Sequence, residues 1–267
     1  MEDRGYQFAD GVYEVIAFYN RRLLDEIPHL ERLERSLKAL EITPPMPQAS
    51  LRFVMRELLA RNNREDGTLY MQITRGTARR DHPFPKHTRA NLVMAVTGPK
   101  CPKEKEVSEG VSVITQPDLR WARRDIKSIA LLPNVLAKQA ATHAGAREAW
   151  LMDENGFIGE GAVSNNAIVT AKGEITTSPT DQHILGGITR EVMLELARKE
   201  GIKILLKPFS VKEAEAAEEA FLMSTTSNIL PVTCIDGTKI GSGRPGKITL
   251  RLLELYHEHI YRQTGKR

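Results

Sequence analysis

From Pro28 to Leu40 the chain places Leu30, Leu33, Leu37 and Leu40 at three- and four-residue steps, which makes one helical face apolar. Pro28 is tolerated there because the first turn of a helix needs no amide donor. A second helix is predicted from Ser50 to about Asn62, with Leu51, Val54, Met55, Leu58 and Leu59 turned inward. Asp66-Gly67 marks a turn, and Leu69 to Arg75 and Asn91 to Thr97 read as strands. The stretch from Gly98 to Glu106 is polar and broken by Gly98, Pro99 and Pro102. The expected division is therefore an N-terminal domain over 1–98, a linker over 99–106 and a C-terminal domain over 107–267.

Beyond it, strands and helices alternate. Val111 to Thr115 reads as a short strand, and Asn134 to His143 as a helix closed by Gly145. Glu148 to Met152 and Ala167 to Thr170 read as strands, with Asn155-Gly156 as the hairpin signal between them. Ile188 to Glu200 is a predicted helix ended by Gly201, and Ser210 with Glu213 has capping-box spacing before another short one. Phe221 to Met223 and Val232 to Ile235 read as strands, and a last amphipathic helix carries Leu250, Leu253 and Tyr256. The fold class is α+β in the first half and a mixed, strand-rich α/β arrangement in the second.

Composition narrows the classes. With 41% apolar and 27% charged residues over 267 positions, the chain is an ordinary globular mix, which excludes disorder for most of it. Two cysteines, Cys101 and Cys234, cannot build a disulfide framework or a four-thiolate zinc site, and free thiols suit a reducing cytoplasm. The net charge of +4 is spread thinly, so no nucleic-acid partner is expected. Its densest cluster, Arg120, Arg123, Arg124 and Lys127, is a candidate anion site. No apolar run reaches the length of a membrane span, and the N-terminus lacks a secretory pattern.

Several short segments carry chemistry, each beside a plainer reading. Leu185-Gly-Gly-Ile-Thr189 opens a helix whose free amides could hold an anion; simple capping by Thr189 explains it as well. Ser224-Thr-Thr-Ser227 is a second possible phosphate cradle, or a hydroxyl-rich turn. Lys127 lies among cations, which would lower its pKa as a Schiff-base lysine requires; it could equally be an exposed lysine. Glu160, between Gly159 and Gly161, could approach a flat ligand or sit in a polar turn. Gly241-Ser-Gly-Arg-Pro-Gly246 fits a dinucleotide fingerprint by letter only and reads as a glycine-rich turn. His257 and His259 point to different sides of a helix, so no metal site is expected.

Together, and in order from Glu2-Asp-Arg-Gly-Tyr-Gln-Phe-Ala-Asp-Gly-Val-Tyr-Glu-Val15 to Asp236-Gly237, these segments resemble the class IV, fold-type IV aminotransferases that use pyridoxal 5′-phosphate (PLP). The resemblance covers nearly the whole chain and is nearest to the branch acting on D-amino acids such as D-alanine. It implies a two-domain enzyme with a small N-terminal domain, a larger PLP-binding domain and an active site between domains near a homodimer interface. It implies Lys127 as the Schiff-base lysine and proton shuttle, and Glu160 as the carboxylate on the pyridine nitrogen. Arg32 matches the arginine on the cofactor phosphate, with an ordinary exposed helix arginine as the alternative. Ile188 and Thr189 match one phosphate cradle, and Ser224 and Thr225 the other. Leu185 matches a residue packed on the ring, and Ser164 and Asn165 lie in the matched cofactor segment.

Tyr13, Arg80 and His82 match the group that holds the substrate α-carboxylate in the D-amino acid branch. The implied substrates are a D-amino acid and a 2-oxo acid such as 2-oxoglutarate. An L-branched-chain aminotransferase, an aminodeoxychorismate lyase and a non-catalytic PLP-binding protein are the competing readings. The family begins with a short strand pair ahead of the Asp-Arg-Gly-Tyr segment, and this chain starts inside that segment, so either the start is misassigned or the first sheet lacks those edge strands.

Overall fold

Asp3 accepts a hydrogen bond from the Gly5 amide and so starts a short helix, α1 (Arg4–Phe8), which ends where Ala9 turns left-handed. The computed structural model, which describes residues 2–266, divides from there into two compact units. The first holds the residues up to Lys100 together with Ile126–Leu131 and Ile260–Lys266; the second holds Cys101–Asp125 and Leu132–His259. The division is not contiguous, and Lys127, which the sequence-based boundaries put in the C-terminal domain, lies in the first unit.

In the first unit, β1 (Gly11–Tyr19) and β2 (Arg22–Leu23) lead into α2 (Glu26–Ala39) and α3 (Gln48–Arg61), followed by β3 (Gly67–Thr74) and β4 (Asn91–Thr97). The sheet is antiparallel in the order β2-β1-β3-β4. Leu30, Leu33 and Leu37 of α2 and Leu51 and Met55 of α3 pack with Val12, Ile16, Leu69, Met71 and Ile73 of the sheet. The helices are thus the two that apolar periodicity predicts, each beginning two residues earlier. Strand β1 is absent from that prediction. Val12, Ile16, Ala17, Phe18 and Tyr19 are all buried, so the alternation that signals a half-exposed strand is lost. Ile126 joins this core, and residues 127–129 lie along β1: the Tyr13 amide donates to the Lys127 carbonyl at 3.0 Å and the Ile129 amide to the Gly11 carbonyl at 3.1 Å.

The second unit opens with α4 (Glu104–Glu109), a helix where the glycine and proline pattern predicts a linker. Its Lys and Glu residues favour helix, and the Glu106 side chain accepts from the Lys103 amide to close its start. The remaining elements are β5 (Val111–Pro117), α5 (Leu132–His143), β6 (Glu148–Met152), β7 (Phe157–Gly161), β8 (Asn165–Val169), β9 (Ile175–Thr177), α6 (Ile188–Lys199), β10 (Ile204–Leu206), β11 (Phe209–Ser210), α7 (Val211–Glu215), β12 (Glu219–Ser224), β13 (Asn228–Ile235), β14 (Thr238–Lys239) and α8 (Lys247–Thr264). The sheet runs β10-β9-β8-β12-β13-β5-β6-β7-β11, with β14 on β13. β5 is parallel to both β6 and β13, and β9 to β10. Val113, Trp150, Ile158, Ile168, Leu222 and Leu230 converge in its core.

Asn155-Gly156 does turn a hairpin, with Gly156 at φ +79°, but it joins β6 to β7 and not to the strand at Ala167. Gly159 and Gly161 hide β7 from a propensity reading. Glu160 therefore sits on a paired strand opposite Leu151 and not in a polar turn.

Candidate active site

Of the candidate residues in the first unit, Arg32 lies on α2 and Tyr13 on β1. His29, Arg32 and Ser36 recur at helical spacing beside the leucine stripe, and all three are buried. Val12, Glu14 and Ile16 share one face of β1 by strand alternation, so Glu14 points at α2. Arg32 gives it a fork: Nε to Oε1 at 2.7 Å and Nη2 to Oε2 at 2.9 Å. His29 Nδ1 lies 2.9 Å from Oε2 and carries the hydrogen when Glu14 is ionised. Burial by itself would push Glu14 up, but the Arg32 charge and its hydrogen bonds with Arg32 and His29 hold the carboxyl well below the usual range. Burial lowers His29, against the pull of Glu14. Arg32 is 5% exposed, so the exposed-helix alternative fails.

The same stripe reaches Lys127. Ser36 Oγ accepts the Lys127 amide at 3.2 Å, while Lys127 Nζ donates to Tyr13 Oη at 3.3 Å and sits 4.3 Å from that ring. Lys127 is thus half-buried and fixed at both ends. Arg80 and His82 stand on the exposed loop between β3 and β4, both against the Phe8 ring. Tyr13 is joined to Lys127 and not, by any hydrogen bond among the described residues, to Arg80 or His82.

In the second unit Glu160 is the centre. Its Oε2 accepts from Asn165 Nδ2 at 3.0 Å and from the Leu185 amide at 3.2 Å, and its Oε1 from Arg120 Nη1 at 2.5 Å. Asn165 also donates to the Leu185 carbonyl at 3.1 Å, which locks that backbone to the carboxylate. Arg120 directs its fork to Asp118, Nε to Oδ1 at 2.9 Å and Nη2 to Oδ2 at 2.7 Å. Arg124 adds a contact to Asp118 at 3.3 Å, and Arg123 pairs with Asp125 at 2.8 Å. The three arginines of the basic cluster are therefore paired with carboxylates and do not form an open anion site. Burial pushes the Glu160 carboxyl up, and the one bond from Arg120 does not reverse it. Asp118, with two arginines, is held low despite burial.

Ser164 Oγ donates to the buried Glu148 at 3.1 Å and so braces the turn after β7 rather than Glu160. Helix α6 starts at Ile188 after Gly187 with no side-chain cap, which leaves the first-turn amides of Ile188 and Thr189 available. Thr189 Oγ1 lies 3.5 Å from Tyr256 Oη. A Cβ on Gly187 would collide with the Asn165 side-chain oxygen, so this bend needs glycine. Ser224 and Thr225 open the tight turn between β12 and β13, where Ser224 Oγ accepts the Ser227 amide at 3.0 Å.

This donor set fits a pyridoxal phosphate. A buried carboxylate held in an upper range suits a pyridine nitrogen that carries a proton, and an uncapped helix start suits a phosphate. The sequence reading missed Arg120, Asp118, Glu14 and His29. Glu14 had a signal, its parity with Val12 and Ile16; Arg120 had none beyond its place in the basic cluster.

A family model described as amino-transferase class IV matches residues 11–235. The chain is 42% identical over 266 residues to the D-alanine aminotransferase of Bacillus licheniformis, covering 100% of this chain and 93% of that protein. It is 38% identical over 268 residues to the D-alanine aminotransferase of Listeria innocua, covering 100% and 92%. Among solved structures, the branched-chain amino acid aminotransferase of Escherichia coli superimposes with a TM-score of 0.91 at 23% identity, covering 99% of this chain and 89% of that one. The branched-chain aminotransferase of Thermoproteus uzoniensis with norvaline gives 0.83 at 26% identity, covering 98% and 89%.

Proposed function

The chain belongs to the class IV aminotransferases, which work with PLP, and from that premise we propose that it moves the amino group of a D-amino acid, D-alanine in type, to a 2-oxo acid such as 2-oxoglutarate or pyruvate. The observation that carries the reading is full-length identity to D-alanine aminotransferases on a chain that presents Arg80 and His82 together on one exposed loop. The likeness to the Escherichia coli branched-chain enzyme is one of fold.

When bound, PLP supplies an electrophilic carbon and a ring that accepts the electrons released at the substrate Cα. Lys127 Nζ is the amine that would take the proton from the substrate Cα and carry it away from that carbon, with the Tyr13 hydroxyl orienting it. Glu160 would hold a proton on the pyridine nitrogen, and the Asn165 and Leu185 donors fix the position of its carboxylate. Ile188, Thr189, Ser224, Thr225 and Arg32 hold the phosphate. Leu185 would pack against the ring, and Ser164 supports the segment through Glu148. Arg80, His82 and Tyr13 take the substrate α-carboxylate by charge-assisted hydrogen bonds. The two half-reactions share one site, so ping-pong kinetics are expected.

The partner is a second copy of the chain. Helix α5 exposes Leu132 (69%), Val135 (57%) and Leu136 (60%) on one stripe, an apolar patch that a homodimer would cover. Among the described residues no helix is long and apolar enough to cross a membrane. Cys101 and Cys234 are free thiols, in keeping with a proposed cytoplasmic setting.

The test is to assay the PLP-loaded enzyme with D-alanine and L-leucine in parallel, with 2-oxoglutarate as acceptor. Turnover of D-alanine is expected; turnover of L-leucine alone overturns the D-specific reading in favour of a branched-chain one. Lys127→Ala should lose both the activity and the cofactor absorbance that survives dialysis.

A further inference from the structure

Helix α1 lies at the foot of the loop that carries Arg80 and His82, and its Arg4 and Phe8 side chains both touch that loop. Arg4 is 3% exposed. Its Nη1 donates to the Asp81 carbonyl at 2.6 Å and its Nη2 to the His82 carbonyl at 3.2 Å, while its own amide donates to the Gly76 carbonyl at 2.9 Å. The two side-chain acceptors are the backbone just after Arg80 and that of His82 itself. The third guanidinium nitrogen, Nε, donates to Asp10 Oδ2 at 2.8 Å. Arg75 Nε shares that same oxygen at 2.8 Å and reaches on to the Leu40 and Glu41 carbonyls at the end of α2. One carboxylate thus orients two guanidinium groups, one gripping the loop and the other gripping the helical layer.

Phe8, at the other end of α1, completes the support. The Arg80 guanidinium carbon lies 4.9 Å from its ring centroid, and the His82 ring 5.4 Å away. Asp3 secures both roots of the loop, accepting from Thr74 Oγ1 at the end of β3 and from Asn91 Nδ2 at the start of β4, each at 2.7 Å. Arg80 itself makes no ion pair with any described residue, so its charge is directed at no protein carboxylate. Loops that select ligands are ordinarily mobile, and ordering them on binding weakens affinity.

We propose that Arg4 and Phe8 are positioning residues for substrate. They hold Arg80 and His82 in the conformation that receives an α-carboxylate before the substrate arrives. The inference rests on the reading of Arg80 and His82 as the carboxylate-binding pair. Arg4→Lys keeps the charge beside Asp10 but cannot bridge two carbonyls with a planar fork. Phe8→Leu keeps an apolar filler but removes the ring under Arg80 and His82. Because the amino donor and the 2-oxo acid both present an α-carboxylate, both KM values should move together.

The experiment compares PLP-loaded wild-type, Arg4→Lys, Phe8→Leu and Arg80→Ala enzymes for kcat, for both KM values, and for inhibition by acetate as a bare carboxylate. Cofactor retention after dialysis is read by absorbance. For Arg4→Lys the expectation is about a tenfold rise in both KM values and in the acetate inhibition constant, with kcat changed by about twofold at most. Phe8→Leu should give the same pattern at about threefold. Retained cofactor should match wild type in both. A rise in KM for Arg80→Ala with none for Arg4→Lys and Phe8→Leu overturns the positioning role alone. Unchanged KM values in Arg80→Ala overturn the carboxylate-binding reading and this inference with it. Loss of cofactor and of kcat in Arg4→Lys, in step with KM, identifies a structural role and overturns the proposal.

Discussion

Glu14 in the first unit and Glu160 in the second are both buried glutamates bonded to an arginine, yet their carboxyls move in opposite directions. Arg32 turns both arms of its fork to Glu14, and His29 adds a third donor. Arg120 turns its fork to Asp118 and leaves Glu160 a single bond. An arginine stabilises a buried carboxylate only as far as its hydrogen bonds are committed to that carboxylate. A second acid nearby divides the effect and adds repulsion. Glu14 is therefore a fixed charge, suited to building. Glu160 stays responsive to whatever approaches it, suited to chemistry.

Breaking Glu160 should show in rate. Glu160→Gln is expected to lower kcat/KM by about 10²–10⁴-fold while stability changes by about 1 kcal/mol, since Arg120 keeps its Asp118 fork. Steady-state kinetics and urea denaturation on one preparation check both halves, and an unchanged rate removes Glu160 from the chemistry.

Breaking Glu14 should show in stability. Glu14→Gln takes the carboxylate away from the buried Arg32 fork and is expected to cost about 3–5 kcal/mol in urea denaturation. A loss well under that would mean that Arg32 finds another anion.

The pH dependence separates the pair by sign. As pH falls below about 6.5 and then about 4.3, unfolded His and Glu take up protons that native His29 and Glu14 resist, so the unfolded chain binds more protons and stability falls. Glu160 acts in reverse: its native carboxyl keeps a proton that the unfolded chain loses above about 4.3, so its contribution falls as pH rises. Thermal melts from acid to neutral pH should show Glu160→Gln gaining on wild type as pH rises. His29→Gln should flatten the acid limb.

The smallest effect concerns how far the ordered stripe on α2 extends. Ser36→Ala removes one acceptor from the Lys127 amide and should cost about 1 kcal/mol, read as a shift in the denaturation midpoint.

The sequence makes the local parts of this comparison readable and hides the rest. Helix α2 is visible in its leucines, and His29, Arg32 and Ser36 follow from the same spacing once the inward direction is known. Glu14 becomes readable only when β1 is recognised, and burial on both faces removes the alternation that would reveal it. The Asn155-Gly156 turn is plain from its dipeptide, yet its second strand is hidden because Gly159 and Gly161 lower strand propensity around Glu160. The Arg120–Glu160 and Tyr13–Lys127 contacts join residues 40 and 114 positions apart, and no local periodicity records such pairs.

That last separation bears on how the molecule is made. Lys127 is placed by pairing residues 127–129 with a strand at the start of the chain, so its position is set by closing a loop of more than a hundred residues. Such closure carries an entropy cost that local helix formation does not, and contacts of high sequence separation slow folding. On the ribosome, β1, β3 and the two helices can assemble as soon as they emerge. The Lys127 side chain cannot take its place until the polypeptide has been extended past Ile129.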